Sequence, residues 1–314
     1  MHERALADLE RRVRDSVAGD LRAALSGLES ALAAIYVAAA EDTRHKLPEA
    51  AQATLRAHLV RTIEDLTRRD YRTTRAALMG GSRAALAGGG ADLNVEVDRR
   101  LPGDIRDAIR NTTRDMRAHL AAALRLARHG PLDRHGDAQA VLATIRKAQT
   151  TADRAAVWVV HRAHNEGRSR AIGRMWRDGV EVRMLWHAER DACPACLSFA
   201  GALAEPGEAF RPVVQAADPS ARPRGAVVGP PLHPNCRCGL DVWIGAAEAD
   251  LAPTDLPHAL RREAQRSILR GDAQGSRPAR LRAADRLLDV ANLLVPKTVV
   301  RRARKAVEAS KFPT

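Results

Sequence analysis

The chain has four cysteines, and they stand in two pairs: Cys193-x2-Cys196 and Cys236-x-Cys238, with His233 three residues ahead of the second pair. Thirty-six residues separate Cys196 from His233. A C-x2-C turn lets two thiolates face one point, and cysteines at i and i+2 of a chain entering a strand project to one side. Zinc takes four nitrogen or sulfur ligands in a tetrahedron. Cys193, Cys196, Cys236 and either His233 or Cys238 therefore make a candidate structural zinc site, with five donors for four positions. Pro230, Pro231 and Pro234 stiffen the approach to His233 and Cys236, so less chain entropy is lost in placing them. Buried thiols packing as small apolar groups, or disulfides, are the competing readings. Two pairs with a histidine favour the metal, whose binding would supply folding free energy that so loop-rich a stretch lacks.

The elements that must carry these residues are legible from hydrophobic period. Leu9, Val13, Val17, Leu21, Leu25, Leu28, Leu32 and Ile35 step by threes and fours, which predicts one long amphipathic helix. A second follows Pro48, with Leu55, Leu59, Ile63 and Leu66 on one face, and is expected to run out at Gly80-Gly81; Gly88 to Gly90 read as a flexible joint. Ile105, Ile109, Met116, Leu120 and Leu124 mark a third, ended by "RHGPLDRHGD". A shorter helix is expected over Ala138 to Ala148, and another from a cap at Thr151 or Asp153 to Asp178-Gly179.

The period then shortens to two. Val182, Met184 and Trp186 alternate with Glu181, Arg183 and Leu185, and Leu240, Val242 and Ile244 alternate with Asp241 and Trp243. These two strands are expected to pair antiparallel and to bracket the cysteine region, with residues 207 to 231 mostly irregular. Trp158, Trp176, Trp186 and Trp243 read as core anchors around them. Short helices return beyond Pro257, broken by "GDAQGSRPAR" and Pro296. The predicted fold is mainly α, with a small α+β Cys/His module at residues 180 to 245. The expected divisions are a helical region at 1–150, a module region at 151–245 and a basic helical segment at 246–314.

Aromatic residues make up 3% of the 314 residues, the balance of long helices rather than of sandwiches or barrels. The net charge of +13 points to an anionic partner. Residues 255 to 314 hold fourteen Lys or Arg against six Asp or Glu, so +8 of the excess lies there. Arg301, Arg302, Arg304 and Lys305 are the candidate DNA- or partner-binding residues, and the lack of aromatics for base stacking makes any nucleic-acid contact sequence-independent. The start is charged from its third residue, and the longest uninterrupted apolar run is ten residues. The expectation is a protein made in a reducing cytoplasm with no membrane contact.

The order "EVRMLWHAERDACPACLSFAGALAEPGEAF... PPLHPNCRCGLDVW" resembles the phage head morphogenesis family, the Mu-F-like minor capsid proteins. Trp186, Asp191, Cys193, Cys196, Gly201, Phe210, Pro230, Pro231, His233, Pro234, Cys236, Arg237 and Cys238 carry the likeness, and "VWVVHRAHNEGRSRAIGRM" resembles the family's preceding helix, so the resemblance covers residues 150 to 245. It implies a minor capsid protein acting in procapsid assembly near the portal. Its partners would be the portal protein and the scaffold or major capsid protein; the DNA contact rests on the charge of the C-terminus instead. Its places would be the capsid interior of the virion and, during assembly, the host cytoplasm.

Two enzyme readings are weaker. "HAERD" is not H-E-x-x-H, and no P-loop is present. A metal-dependent nuclease would use His233 or His187 as base and Asp191 as ligand, yet five donors saturate an ion that catalysis needs open. No catalytic residue is expected. His161 and His164, three apart on one helix, have a metal-compatible spacing but no third ligand nearby in sequence.

Overall fold

The three- and four-residue apolar steps become four long helices: α1 (His2–Ala39), α2 (Glu49–Ala91), α3 (Gly103–His129) and α4 (His135–Arg177). The computed structural model describes residues 2–39, 46–215, 225–244, 255–291 and 293–312. Beyond α4 come strand β1 (Arg183–His187), a single helical turn α5 (Pro194–Leu197), and strands β2 (Leu203–Ala204) and β3 (Gly239–Trp243). Three short helices follow: α6 (Leu256–Arg270), α7 (Arg277–Leu288) and α8 (Lys297–Glu308). The protein is mainly α-helical with a small α+β module, as its periodicities require.

Contacts divide the chain into two units. One is Met1–Ala84 with Arg100–Val160; the other is Ala85–Arg99 with His161–Thr314. In the first, the predicted stripes are the core: Leu21, Leu28, Leu32, Leu55, Leu59, Ile63, Ile105, Met116 and Leu120 are all buried. Arg56 donates from one guanidinium to the carbonyls of Ala127 and Arg128 at 2.8 Å and of Gly130 at 3.1 Å, so α2 closes the C-terminus of α3. The ten-residue apolar run, residues 31–40, overlaps a stretch of α1, Gly19–Ala38, that has the length and composition of a membrane span. Its Leu21, Leu25, Leu28 and Leu32 are buried within the unit.

Two helix boundaries differ from expectation. α2 does not stop at Gly80-Gly81 but runs through Gly88 to Gly90. A glycine inside a helix costs only about 1 kcal/mol, and here it permits close approach. A Cβ on Gly81 would collide with the Val13 side chain; one on Gly89 would strike the His164 carbonyl, and one on Gly167 the Leu86 carbonyl. The end of α2 and the second half of α4 thus touch backbone to backbone. Likewise α4 is one helix where two were expected. The Thr150 and Thr151 hydroxyls donate to the carbonyls of Arg146 and Lys147, one turn back, instead of capping a new start.

In the second unit the expected strand pair forms, antiparallel, with Met184 opposite Val242 and Trp186 opposite Leu240. A third strand that alternation did not signal, β2, pairs with the other edge of β1, giving the order β2-β1-β3. Leu185, assigned to the outer face, is fully buried, because β1 is central and covered on both sides. Of the four tryptophans only Trp186 is a full core anchor, stacked on Phe199 with centroids 5.0 Å apart and edge-on to Phe210 at 5.4 Å. Trp158 and Trp243 are half-buried, and Trp176 is 38% exposed. The irregular stretch has neither helix nor strand over residues 207–215 and 225–231; residues 216–224 and the expected boundary at 245/246 lie outside the described residues.

Helices α6 to α8 share this core through Ala264, Ile268, Leu269, Leu287 and Ala303. Their breaks fall where proline and glycine put them. Asp255 caps α6 and Ser276 caps α7 through side-chain acceptors, and Gly271 ends α6 in the left-handed conformation at φ 77°.

Gly167→Ala should lower stability by about 1–3 kcal/mol through overpacking. Gly173→Ala, whose Cβ would meet nothing nearer than 3.7 Å, should be neutral or stabilising by up to about 1 kcal/mol. Urea midpoints measure both, and equal effects would refute the close approach. Burial, aided by the Arg168 charge, lowers His164 to a pKa of about 4. Between pH 6.5 and that value the unfolded chain binds the extra proton, so stability is full above the unfolded pKa and falls on acidification, by on the order of 3 kcal/mol in all. His164→Gln should flatten this part of the pH–stability profile.

Candidate metal centre

Each donor is placed by a short local device. Pro194 opens the single turn α5, in which the Leu197 amide donates to the Cys193 carbonyl at 2.9 Å, so Cys193 and Cys196 flank one helical turn. His233-Pro234-Asn235-Cys236 is a tight turn: the Cys236 amide donates to the His233 carbonyl at 3.1 Å, and Asn235 takes φ 68°. Proline second and a left-handed asparagine third are what a type II turn requires. It puts His233 and Cys236 at its two ends. Cys238, two residues on, leads into β3.

These devices bring all five predicted donors to one place. His233 Nε2 lies 3.1 Å from Cys193 Sγ and 3.3 Å from Cys196 Sγ, and the sulfurs of Cys196 and Cys236 are 3.5 Å apart. Cys193, Cys196 and His233 form one triplet with ligand atoms within 4.8 Å of one another; Cys196, Cys236 and Cys238 form a second. Bonds of about 2.0 to 2.3 Å to a tetrahedral ion imply ligand–ligand edges of roughly 3.4 to 3.8 Å. The Cys196–Cys236 separation lies in that range and the two from His233 fall 0.1 to 0.3 Å short of it, so a small outward shift of the imidazole lets the cluster hold a metal ion. Cys196 is the donor common to both triplets. All four cysteines are free thiols, and three are buried.

The histidine is oriented for the task. His233 Nδ1 lies 2.7 Å from the Pro234 carbonyl, which can only accept, so Nδ1 carries the hydrogen and donates it. That leaves Nε2 turned to the sulfurs, the arrangement in which a metal-ligating imidazole is held. Electrostatics point the same way. Cys193, hydrogen-bonded by Cys196 and His233, falls to a pKa of about 4, and Cys236, hydrogen-bonded by Cys196 and Cys238, falls to about 2. Hydrogen bonds with Cys193, Cys236 and Cys238, then burial, push Cys196 far up. The hydrogen bond from Cys196 draws Cys238 down, but the one to Cys236, burial and the Cys236 charge outweigh it and raise it. His233 rises to about 9, chiefly through its contact with Cys193. Protons thus do the bridging that a cation would take over, with their release on binding.

Residues that periodicity did not single out hold the frame. Asn165, buried in α4, donates from Nδ2 to the Cys238 carbonyl at 3.0 Å and accepts the Leu240 amide at 2.9 Å. One turn on, Arg168 donates to the Leu240 carbonyl at 2.9 Å and to Asp241 Oδ1 at 2.7 Å. Ser267 of α6 donates to the Arg190 carbonyl at 2.6 Å, and Gln274 donates from its amide to the Asp191 carbonyl at 2.9 Å and from its side chain to the Asp191 carboxylate at 2.7 Å. The sequence signal for Asn165 was a polar residue in step with the apolar face of α4.

The other sequence candidates are not members of the triplets. Asp191 lines the same small cavity as the five donors, but its carboxylate is engaged by Gln274, and His187 Nδ1 lies 3.1 Å from Asp241 Oδ2. His164 faces Asp92 at 3.7 Å, and among the described residues neither it nor His161 joins a group able to hold an ion. Arg301, Arg302, Arg304 and Lys305 are exposed on α8. No family model matches the chain, and neither a curated protein nor a solved structure gives a significant match.

Protein purified without a tag should carry about one metal ion per chain by elemental analysis. Cys196→Ala, which removes the shared donor, should abolish it and lower the melting temperature, as should a strong chelator. One of His233→Ala and Cys238→Ala should retain the ion, since four donors suffice. Asn165→Leu leaves the Cys238 carbonyl and the Leu240 amide without this partner and should cost about 2–4 kcal/mol. Metal-free wild type with an unchanged melting temperature in chelator would refute the centre.

Proposed function

We propose that the chain is a phage head morphogenesis protein of the Mu-F-like minor capsid kind, built around a structural zinc. One observation carries the reading: the two halves of the motif on which the resemblance rests, C-x2-C and PP-x-HP-x-CRC, meet at one centre, His233 Nε2 lying 3.1 and 3.3 Å from the first cysteine pair. Zinc suits four sulfur and nitrogen donors in a tetrahedron better than a hard cation does. With every position filled by protein, the ion would brace the fold rather than activate water. The module would serve as a rigid clip. The portal protein is the proposed partner during procapsid assembly, with the scaffold or major capsid protein next to it. The protein would then reside inside the capsid, after assembly in the host cytoplasm.

Gradient sedimentation of the tag-free protein with the portal protein encoded by the adjacent gene tests this. The expected result is co-sedimentation with portal rings, lost on Cys196→Ala. Absence of a portal gene nearby, together with free sedimentation of the protein, would refute the reading. So would plasmid cleavage that needs added divalent metal and disappears on His233→Ala.

A further inference from the structure

Helix α8 divides sharply around its circumference. At 100° per residue, Val299, Val300, Ala303, Ala306 and Val307 fall on one arc. Ala303 and Ala306 are buried, and the three valines pack against the core of the second unit. Lys297, Arg301, Arg302, Arg304 and Lys305 occupy the opposite arc and are exposed, with Glu308 the one acidic residue of the helix. Lys297, Arg301 and Lys305 recur every four residues, about 6 Å along the axis. None of Arg301, Arg302, Arg304 and Lys305 has an ion pair among the described residues, whereas Arg162, Arg168 and Arg170 of α4 and Arg266 of α6 do.

We propose that this face binds the phosphate backbone of duplex nucleic acid without reading its sequence. The alternatives fail on the chemistry of the same helix. Insertion into an anionic bilayer needs a free apolar face, and that of α8 is already spent on the core. Single strands are held by stacking on aromatic side chains; α8 has none, and Phe312 beyond it lies against Gly271. A protein partner would need an apolar anchor within the patch, and the exposed arc offers only cations, Thr298 and Glu308. A row of fixed, unpaired positive charges on a rigid helix is suited to a regular line of phosphates, from which it releases counterions. The inference rests on α8 alone and is independent of the resemblance to minor capsid proteins.

Fluorescence anisotropy with a labelled mixed-sequence DNA duplex tests it on the full chain, between about 50 and 200 mM salt. A variant with Arg301→Gln, Arg302→Gln, Arg304→Gln and Lys305→Gln should bind at least about tenfold more weakly, with the log–log salt slope reduced by roughly three to four. A control with Arg4→Gln, Arg12→Gln, Arg61→Gln and Arg72→Gln loses the same charge from exposed sites on α1 and α2 and should bind like wild type. Circular dichroism and metal content should match wild type in both. Equal weakening by the two variants, no binding at low salt, tighter binding to a single strand of the same length, or binding to phosphatidylserine vesicles in preference to DNA would each overturn the proposal.

Discussion

Four sulfurs and an imidazole gathered within hydrogen-bonding range of one another are an electrostatic constraint before they are a binding site. Cys193 and Cys236 are driven toward thiolate and Cys196 and Cys238 toward thiol, with His233 drawn toward its charged form. The arrangement is self-consistent only because acceptors alternate with donors around the cluster. A central cation would take four of the five donors and remove the need for that alternation. The described residues between Cys193 and Cys238 hold only α5 and β2, and lean on Trp186, Phe199 and Phe210 for an apolar centre.

The surrounding elements hold the centre from two sides. Asn165 and Arg168 on α4 fasten the start of β3, and Ser267 and Gln274 fasten the residues entering the C-x2-C turn. The helices after residue 255 are therefore part of the frame. Their basic outer arc and apolar inner arc have separate roles, and the exposed cations can change without disturbing what supports the donors.

Much of this was legible in the sequence because its signals are short-range. Spacing alone nominated the five donors, and the two-residue period found β1 and β3. What escaped notice depends on contacts far apart in the chain. Gly80, Gly81 and Gly88 to Gly90 read as breaks, yet they lie inside α2, where close approach to Val13 and to the α4 backbone outweighs a modest propensity penalty. Thr151 and Asp153 looked like caps, but helix continues through them because the threonine hydroxyls find carbonyls one turn back. Strand β2 is two residues long, too short for any period. Asn165 falls in step with the apolar face of α4, but what it holds there shows only once its partner, 73 positions away, is in place.

The sealing of β3 has a further consequence. Its outward-facing amide and carbonyls at Cys238 and Leu240 are consumed by side chains of α4, while the opposite edge of the sheet is the two-residue β2. Neither margin can accept an incoming strand of useful length. Any neighbour that grips this module must do so through side chains on helices and loops, which confines recognition to surfaces that can vary while the backbone of the sheet stays closed.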